Sequence, residues 1–161
     1  VTSGNFVDLI NRGVYEDTVF HRVIKKPSPF IVQGGDPLSK DSFTPQDDFG
    51  TGNFIDPNSG QVRFIPLEIK LFGEELPRYS RIIDNPSDLS LLRLRHERGA
   101  LAMARSPDLD SASSQFYIAL KSLPELDGRY SVFGRVVQGM DVVDDIVKGD
   151  IVFGIRFLNS R

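Results

Sequence analysis

The chain has 161 residues, 40% of them hydrophobic and 25% charged, which suits one folded domain and argues against disordered, collagen-like or low-complexity chains. Its 19 Lys plus Arg against 22 Asp plus Glu leave a net charge of -3, so no global positive field draws it to nucleic acid, and the absence of cysteine excludes disulfides, a thiol nucleophile and a cysteine zinc site. No uncharged stretch approaches a bilayer span, the first residues lack the basic-then-apolar layout of a signal peptide, and a chain beginning at Val1 reads as a processed product or a piece of something longer.

The first segment, 1–13, predicts a short amphipathic helix with Thr2 or Ser3 as N-cap, Phe6, Val7 and Ile10 at helical spacing, and Gly13 as the stop. Runs 18–24 and 29–34 are rich in β-formers and read as neighbouring strands, separated by a Lys-Lys-Pro-Ser-Pro connection that cannot be helical. Residues 36–60 are crowded with Gly, Pro, Asp, Ser and Asn, the composition of a long loop. A strand interrupted by Pro66 is expected over 64–72, and a helical turn after Asn85-Pro86-Ser87. Runs 99–104, 115–120 and 131–137 are short strands bounded by turn residues. Met140, Val143 and Val147 fall on one helical face, with Gly149 as a stop, and 151–158 alternate as a half-buried final strand. Many short strands and two short helices, without a repeated strand-helix rhythm, point to a closed or nearly closed antiparallel barrel.

Most site chemistries lack their parts. His21 and His96 are the only imidazoles and have no metal-site spacing; no nucleophile elbow or Walker loop is present; Gly50-Thr51-Gly52 lacks the third glycine of a dinucleotide fingerprint. The carboxylate pairs Asp47-Asp48 and Asp144-Asp145 sit where solvation is their usual role. What remains are polar and aromatic residues inside apolar strands, with alternation placing Phe20 and Arg22 on one face, His21 on the other, and Ile31 with Gln33. An arginine on a half-buried face beside a glutamine costs several kcal/mol unless it is hydrogen-bonded or used. Arg22 is therefore either tied down structurally or held for a ligand, and the residues alone leave both open.

Eight motifs occur in order across nearly the whole chain: Phe20-His21-Arg22-Val23-Ile24, Phe30-Ile31-Val32-Gln33-Gly34-Gly35-Asp36, Gly50-Thr51-Gly52, Gly99-Ala100-Leu101-Ala102-Met103-Ala104, Ser114-Gln115-Phe116-Tyr117-Ile118, Leu126-Asp127-Gly128, Val132-Phe133-Gly134 and Val137-Gln138-Gly139-Met140. As an ordered set they resemble the cyclophilins, the cyclosporin-binding class of peptidyl-prolyl cis-trans isomerases. The resemblance implies a mainly β fold, an eight-stranded antiparallel barrel capped by two helices, here a single domain over 1–161 that lacks the family's first two strands. It implies isomerisation of X-Pro bonds without cofactor or metal, in the service of protein folding or assembly. Arg22, Phe30 and Gln33 then look like the catalytic residues, and Ile31, Ala104, Arg105, Gln115, Tyr117, Leu126 and Tyr130 like the substrate groove.

Several positions depart from the better-studied members. Ile31 stands where they have Met, Tyr117 where they have Phe, Tyr130 in place of a histidine and Arg105 in place of an asparagine. Glu125 replaces a tryptophan that often accompanies cyclosporin binding, so weak binding of that ligand is expected. Insertions at 25–29 and 38–49 reshape the rim. The implied partners are proline-containing polypeptides, with a monomeric chain and neither nucleic acid nor a membrane span. The other class that fits is a catalytically weak module that binds proline-containing segments of a partner. Gly4 to Ile10, Phe54 to Pro57 and Ile65 to Ile69 look most like the thylakoid-lumen cyclophilins of plants and cyanobacteria, which makes the chloroplast thylakoid lumen or its cyanobacterial equivalent the expected place, and the cytoplasm the alternative.

Overall fold

A computed structural model describes residues 1–158. Helix α1 (Thr2–Asn11) is followed by β1 (Thr18–Val19), β2 (Arg22–Ile24) and β3 (Ile31–Gly34); then come β4 (Glu68–Ile69), β5 (Arg78–Tyr79), α2 (Pro86–Ser90), β6 (Ala100–Met103), β7 (Phe116–Ala119), β8 (Val132–Arg135), α3 (Met140–Asp145) and β9 (Ile151–Val152). The central sheet is antiparallel, in the order β2-β3-β7-β6-β8, flanked by the pairs β1-β9 and β4-β5. The expected mainly antiparallel β architecture is what forms, with backbone hydrogen bonds linking nine short strands in three groups among the described residues. No helix among the described residues is long and apolar enough to cross a membrane.

The sheet's two faces divide the molecule's work. Because side chains alternate, Phe116, Ile118 and Leu120 point to one face, where Phe116 packs with Leu9 and Tyr15 beneath α1, and Leu120 packs with Val32 and Val143 beneath α3. Tyr117 and Ala119 point to the other face, with Ile31, Ala100 and Ala102. Antiparallel register sets Arg22 opposite Gln33, Gln33 opposite Tyr117, Tyr117 opposite Ala102, and Ala102 opposite Val132, so these five residues form one row across the sheet.

Several local expectations are corrected. The run 18–24 is two strands in two sheets: the Phe20 N–H donates to the Asp150 carbonyl and the Gly149 N–H to the Phe20 carbonyl, breaking the alternation at 20–21. Phe20 therefore packs edge-on to Phe116 on the helix-covered face, while Arg22 is exposed rather than half-buried. At the start of α1 neither Thr2 nor Ser3 caps; the Glu68 carboxylate accepts the Thr2 N–H at 2.6 Å, satisfying an orphan donor from far along the chain. Leu9 takes the buried place expected of Val7, which faces outward. Helix α3 ends at Asp145, so Ile146 joins the core in place of the exposed Val147. The last strand stops at Val152 because its partner β1 has only two residues, and Phe153 is left exposed.

The long loop after β3 is held by a single carboxylate. Asp36 is fully buried and accepts N–H groups from Leu38, Gly50 and Gly52, which supplies the hydrogen bonds a buried carboxylate requires. Gly128 performs a comparable service at the other end of the site. Its φ is +73° and its carbonyl accepts the Ile83 N–H at 2.9 Å, an approach so close that a Cβ would overlap the Ile83 carbonyl oxygen.

Gly128→Ala combines a left-handed conformation with that overlap and should cost about 3 kcal/mol in chemical denaturation. Gly60→Ala, also at positive φ but with open space around it, should cost about 1 kcal/mol. Equal costs at the two positions would show that the close approach at Gly128 does not matter.

Candidate active site

The row across the sheet begins with a chain of amide hydrogen bonds. Arg22 Nη1 donates to Gln33 Oε1 at 3.3 Å, Gln33 Nε2 donates to Gln115 Oε1 at 3.1 Å, and Gln115 Nε2 donates to the Gly50 and Gly52 carbonyls at 3.0 and 2.8 Å. Each glutamine thus has its amide oriented by a neighbour, and the last link reaches the loop that Asp36 holds. Among the described residues Arg22 has no carboxylate within ion-pair distance. One guanidinium nitrogen fixes the side chain, leaving its other N–H groups directed to solvent or a ligand.

Beside this polar chain lies an apolar wall. Phe30, Ala104, Leu126 and Tyr130 are partly buried and pack on Ile31 and Tyr117. Ile31 and Tyr117 are each 3% exposed, so they form the buried floor of this cluster and the other four its partly exposed rim. The expected groove residues are thus brought together, with one exception of role. Arg105 folds back, donating to the Arg129, Ser106 and Pro107 carbonyls and placing its guanidinium 4.7 Å over the Tyr130 ring. It braces Tyr130 rather than standing free. A neighbouring cavity of about 280 Å³ is lined by Gln33, Thr51, Ala104, Arg105 and Gln115, and so opens directly beside the amide chain.

Behind the floor lies a buried polar network centred on His96, a residue outside every one of the eight motifs. Tyr117 hydroxyl and His96 Nε2 are 2.8 Å apart, and His96 Nδ1 lies 2.9 Å from Asp127 Oδ1, which also accepts the His96 backbone N–H at 2.7 Å. A carboxylate only accepts, so Nδ1 carries the proton and Nε2 accepts from the tyrosine hydroxyl. Burial pushes the Tyr117 hydroxyl pKa up, and burial also pushes the His96 pKa down, against the pull of Asp127. His21 is the second buried imidazole, lying beneath Gly50, and burial lowers its pKa too. The network spans residues 21 and 31 positions apart in sequence, a spacing with no periodic signal. Among the described residues no group of three or more His, Cys, Asp or Glu side chains is placed to hold a metal ion.

The family model described as "Cyclophilin type peptidyl-prolyl cis-trans isomerase/CLD" matches residues 1–154. The chain is 34% identical over 173 residues to the chloroplastic peptidyl-prolyl cis-trans isomerase CYP38 of Arabidopsis thaliana, covering 99% of this chain and 36% of that protein. It is 33% identical over 171 residues to a peptidyl-prolyl cis-trans isomerase of Synechocystis whose name assigns it to the thylakoid lumen, covering 99% of this chain and 41% of that protein. The chain thus spans well under half the length of these two relatives. Among solved structures, a cyclophilin type peptidyl-prolyl cis-trans isomerase of Cryptosporidium parvum, crystallised in the presence of the dipeptide Ala-Pro, aligns with a TM-score of 0.59 and 28% identity over 89% of this chain and 71% of that one.

The two histidines set the pH dependence of stability. Both have folded-state pKa values below the ordinary histidine value of 6.5, so the unfolded chain takes up protons that the folded chain refuses. Stability should be level above pH ~7.5 and fall as the pH drops through 6.5, with a slope approaching about 1.4 kcal/mol per pH unit for each histidine. The carboxylates of Asp8, Asp56 and Asp144, lowered by hydrogen bonds from arginines, and of Asp88, lowered by Asn85 and then by Arg78, add a separate loss only at pH values near and below ~4. Denaturant titrations between pH 5 and 8 check this, and a flat profile through that window would mean that both imidazoles protonate freely in the fold.

Proposed function

Because the chain belongs to the cyclophilin type peptidyl-prolyl cis-trans isomerases, we propose that it catalyses rotation about X-Pro peptide bonds, with Arg22, Phe30 and Gln33 as the catalytic residues. The observation that carries the reading is the row from Arg22 through Gln33 to Tyr117, with an oriented but unneutralised guanidinium at the edge of an apolar groove. Rotation is opposed by an amide-resonance barrier of about 18 to 20 kcal/mol, and it needs no nucleophile, metal or cofactor. As the bond twists, the prolyl nitrogen loses conjugation and its lone pair becomes localised on it, able to accept a hydrogen bond. An N–H of Arg22 donates to that nitrogen, a bond available only in the twisted state, and it therefore lowers the barrier rather than merely tightening binding.

Gln33 supports the reading through its remaining N–H. With Oε1 held by Arg22 and one Nε2 hydrogen given to Gln115, the second is free to hold a substrate carbonyl. Phe30, Ala104, Leu126 and Tyr130 grip the prolyl ring over the floor of Ile31 and Tyr117, and Gln115 orients the chain. Arg105 enters through Tyr130, as a brace. The substrates are proline-containing polypeptides, in keeping with the Ala-Pro used with the Cryptosporidium protein. Likeness to the chloroplast and thylakoid-lumen relatives supports placement in that lumen or its cyanobacterial equivalent. Glu125, exposed at the groove rim, supports weak cyclosporin binding.

The test is exchange spectroscopy on an Ala-Pro peptide with catalytic amounts of the protein and of Arg22→Ala. Loss of one donor to the transition state should lower kcat/KM about a hundredfold or more. The melting temperature should stay, because Arg22 is exposed and its one side-chain bond among the described residues is to Gln33. Equal exchange by the two proteins would sink the assignment. Peptide binding without exchange would establish the proline-segment binding module instead.

A further inference from the structure

Tyr117 brings a hydroxyl into an otherwise apolar floor, and a buried hydroxyl needs a partner. His96 supplies it and is itself only 1% exposed. Residue 96 is fastened on every side. Its backbone N–H and Nδ1 donate to Asp127, its carbonyl accepts the Leu123 N–H at 2.8 Å, and Nε2 accepts from Tyr117. Tyr117 stands on β7, on the strand side of the groove, whereas Leu123 and Asp127 bracket the turn Pro124–Leu126 that carries the opposite wall. The rings pack accordingly: His96 is parallel to Tyr117 with centroids 6.0 Å apart, and Tyr130 stands edge-on to both.

We propose that His96 is a positioning residue of the groove: its neutral imidazole, bonded to the Tyr117 hydroxyl on one side and to Asp127 on the other, locks the strand wall to the loop wall and so sets the fit of the prolyl ring. This rests on the isomerase reading of the same groove. His96 touches no substrate atom and acts through Tyr117, Leu126 and Tyr130. Its effect therefore falls on substrate affinity, while Arg22, at the far end of the row, keeps its chemistry. An arrangement with two separate hydrogen bonds also predicts which change does what. Asparagine at position 96 can still donate to Asp127 from where Nδ1 stands, but it has no atom at the Nε2 position. Tyr117→Phe removes the same bond from the other side.

The experiment measures kcat and KM for an Ala-Pro peptide with the unaltered protein, His96→Asn, Tyr117→Phe and the double variant, each checked by its melting curve. Each single change should raise KM roughly five- to tenfold with kcat within about twofold, and the double variant should show no more than the larger single effect, because all three remove one interaction. Effects that multiply in the double variant, a fall in kcat at constant KM, or unchanged constants in folded variants would each overturn the proposal. If His96→Asn does not fold, Tyr117→Phe decides alone: a raised KM together with a shift of the His96 Nε2 nitrogen resonance supports the lock, and an unmoved KM overturns it. A folded, unaltered protein that accelerates no exchange would defeat the isomerase reading itself; the dissociation constant for the same peptide then replaces KM, and the same comparison among variants decides on His96.

Discussion

The pairing of β3 with β7, which sets Gln33 opposite Tyr117, is the constraint on which the site depends. A slip of one residue would turn one strand over against the other: a shifted β7 would send Tyr117 to the helix-covered face and bring Ile118 to the groove, and a shifted β3 would exchange Gln33 for Val32 in the same way. The register is protected from both sides. Phe116 and Val32 are buried beneath α1 and α3, while Ile31, Tyr117 and Ala119 are buried on the groove face, so neither face tolerates exchange with the other. Packing far from the groove thus determines which side chains reach it.

The polar groups within that frame are satisfied in a hierarchy. Asp36 gathers three N–H groups and shapes the loop; the loop's carbonyls at Gly50 and Gly52 orient Gln115; Gln115 orients Gln33; and Gln33 steadies Arg22. Each step fixes the next donor or acceptor, which is how an exposed arginine comes to have a defined direction without an ion pair. The parallel network of Asp127, His96 and Tyr117 reaches the same groove from below. Donors and acceptors so supported are already oriented and need little rearrangement to meet a ligand.

Much of this was legible in the residues and some of it was not. Gln33, Phe116 and Tyr117 stand inside short apolar runs bounded by turn residues, so they could be placed on strands and their faces inferred. Alternation misled at Phe20 and Arg22 because the chain leaves one sheet and enters another between them, an event that depends on residues 149–150 and has no local sign. The capping of α1 by Glu68, the bracing of Tyr130 by Arg105 and the use of His96 have the same character. Each is a contact between distant parts of the chain, and at Thr2 and Tyr117 it satisfies a polar group that would otherwise be buried alone. The partners of His96, Asp127 and Tyr117, are set by tertiary packing and not by any spacing in the sequence.

The pairing of β1 with β9 joins opposite ends of the chain, and the central sheet likewise interleaves early and late strands. Such topology has a kinetic side. Long loops must close before these contacts repay their entropy, which places folds of this kind among the slower-forming domains. During synthesis, Arg22 and Gln33 emerge well before Ala102, Tyr117 and Val132, so the row across the sheet has no second half until those residues have been made. The groove is therefore a late product of folding, and a nascent copy exposes the edge of β3 until β7 arrives to cover it.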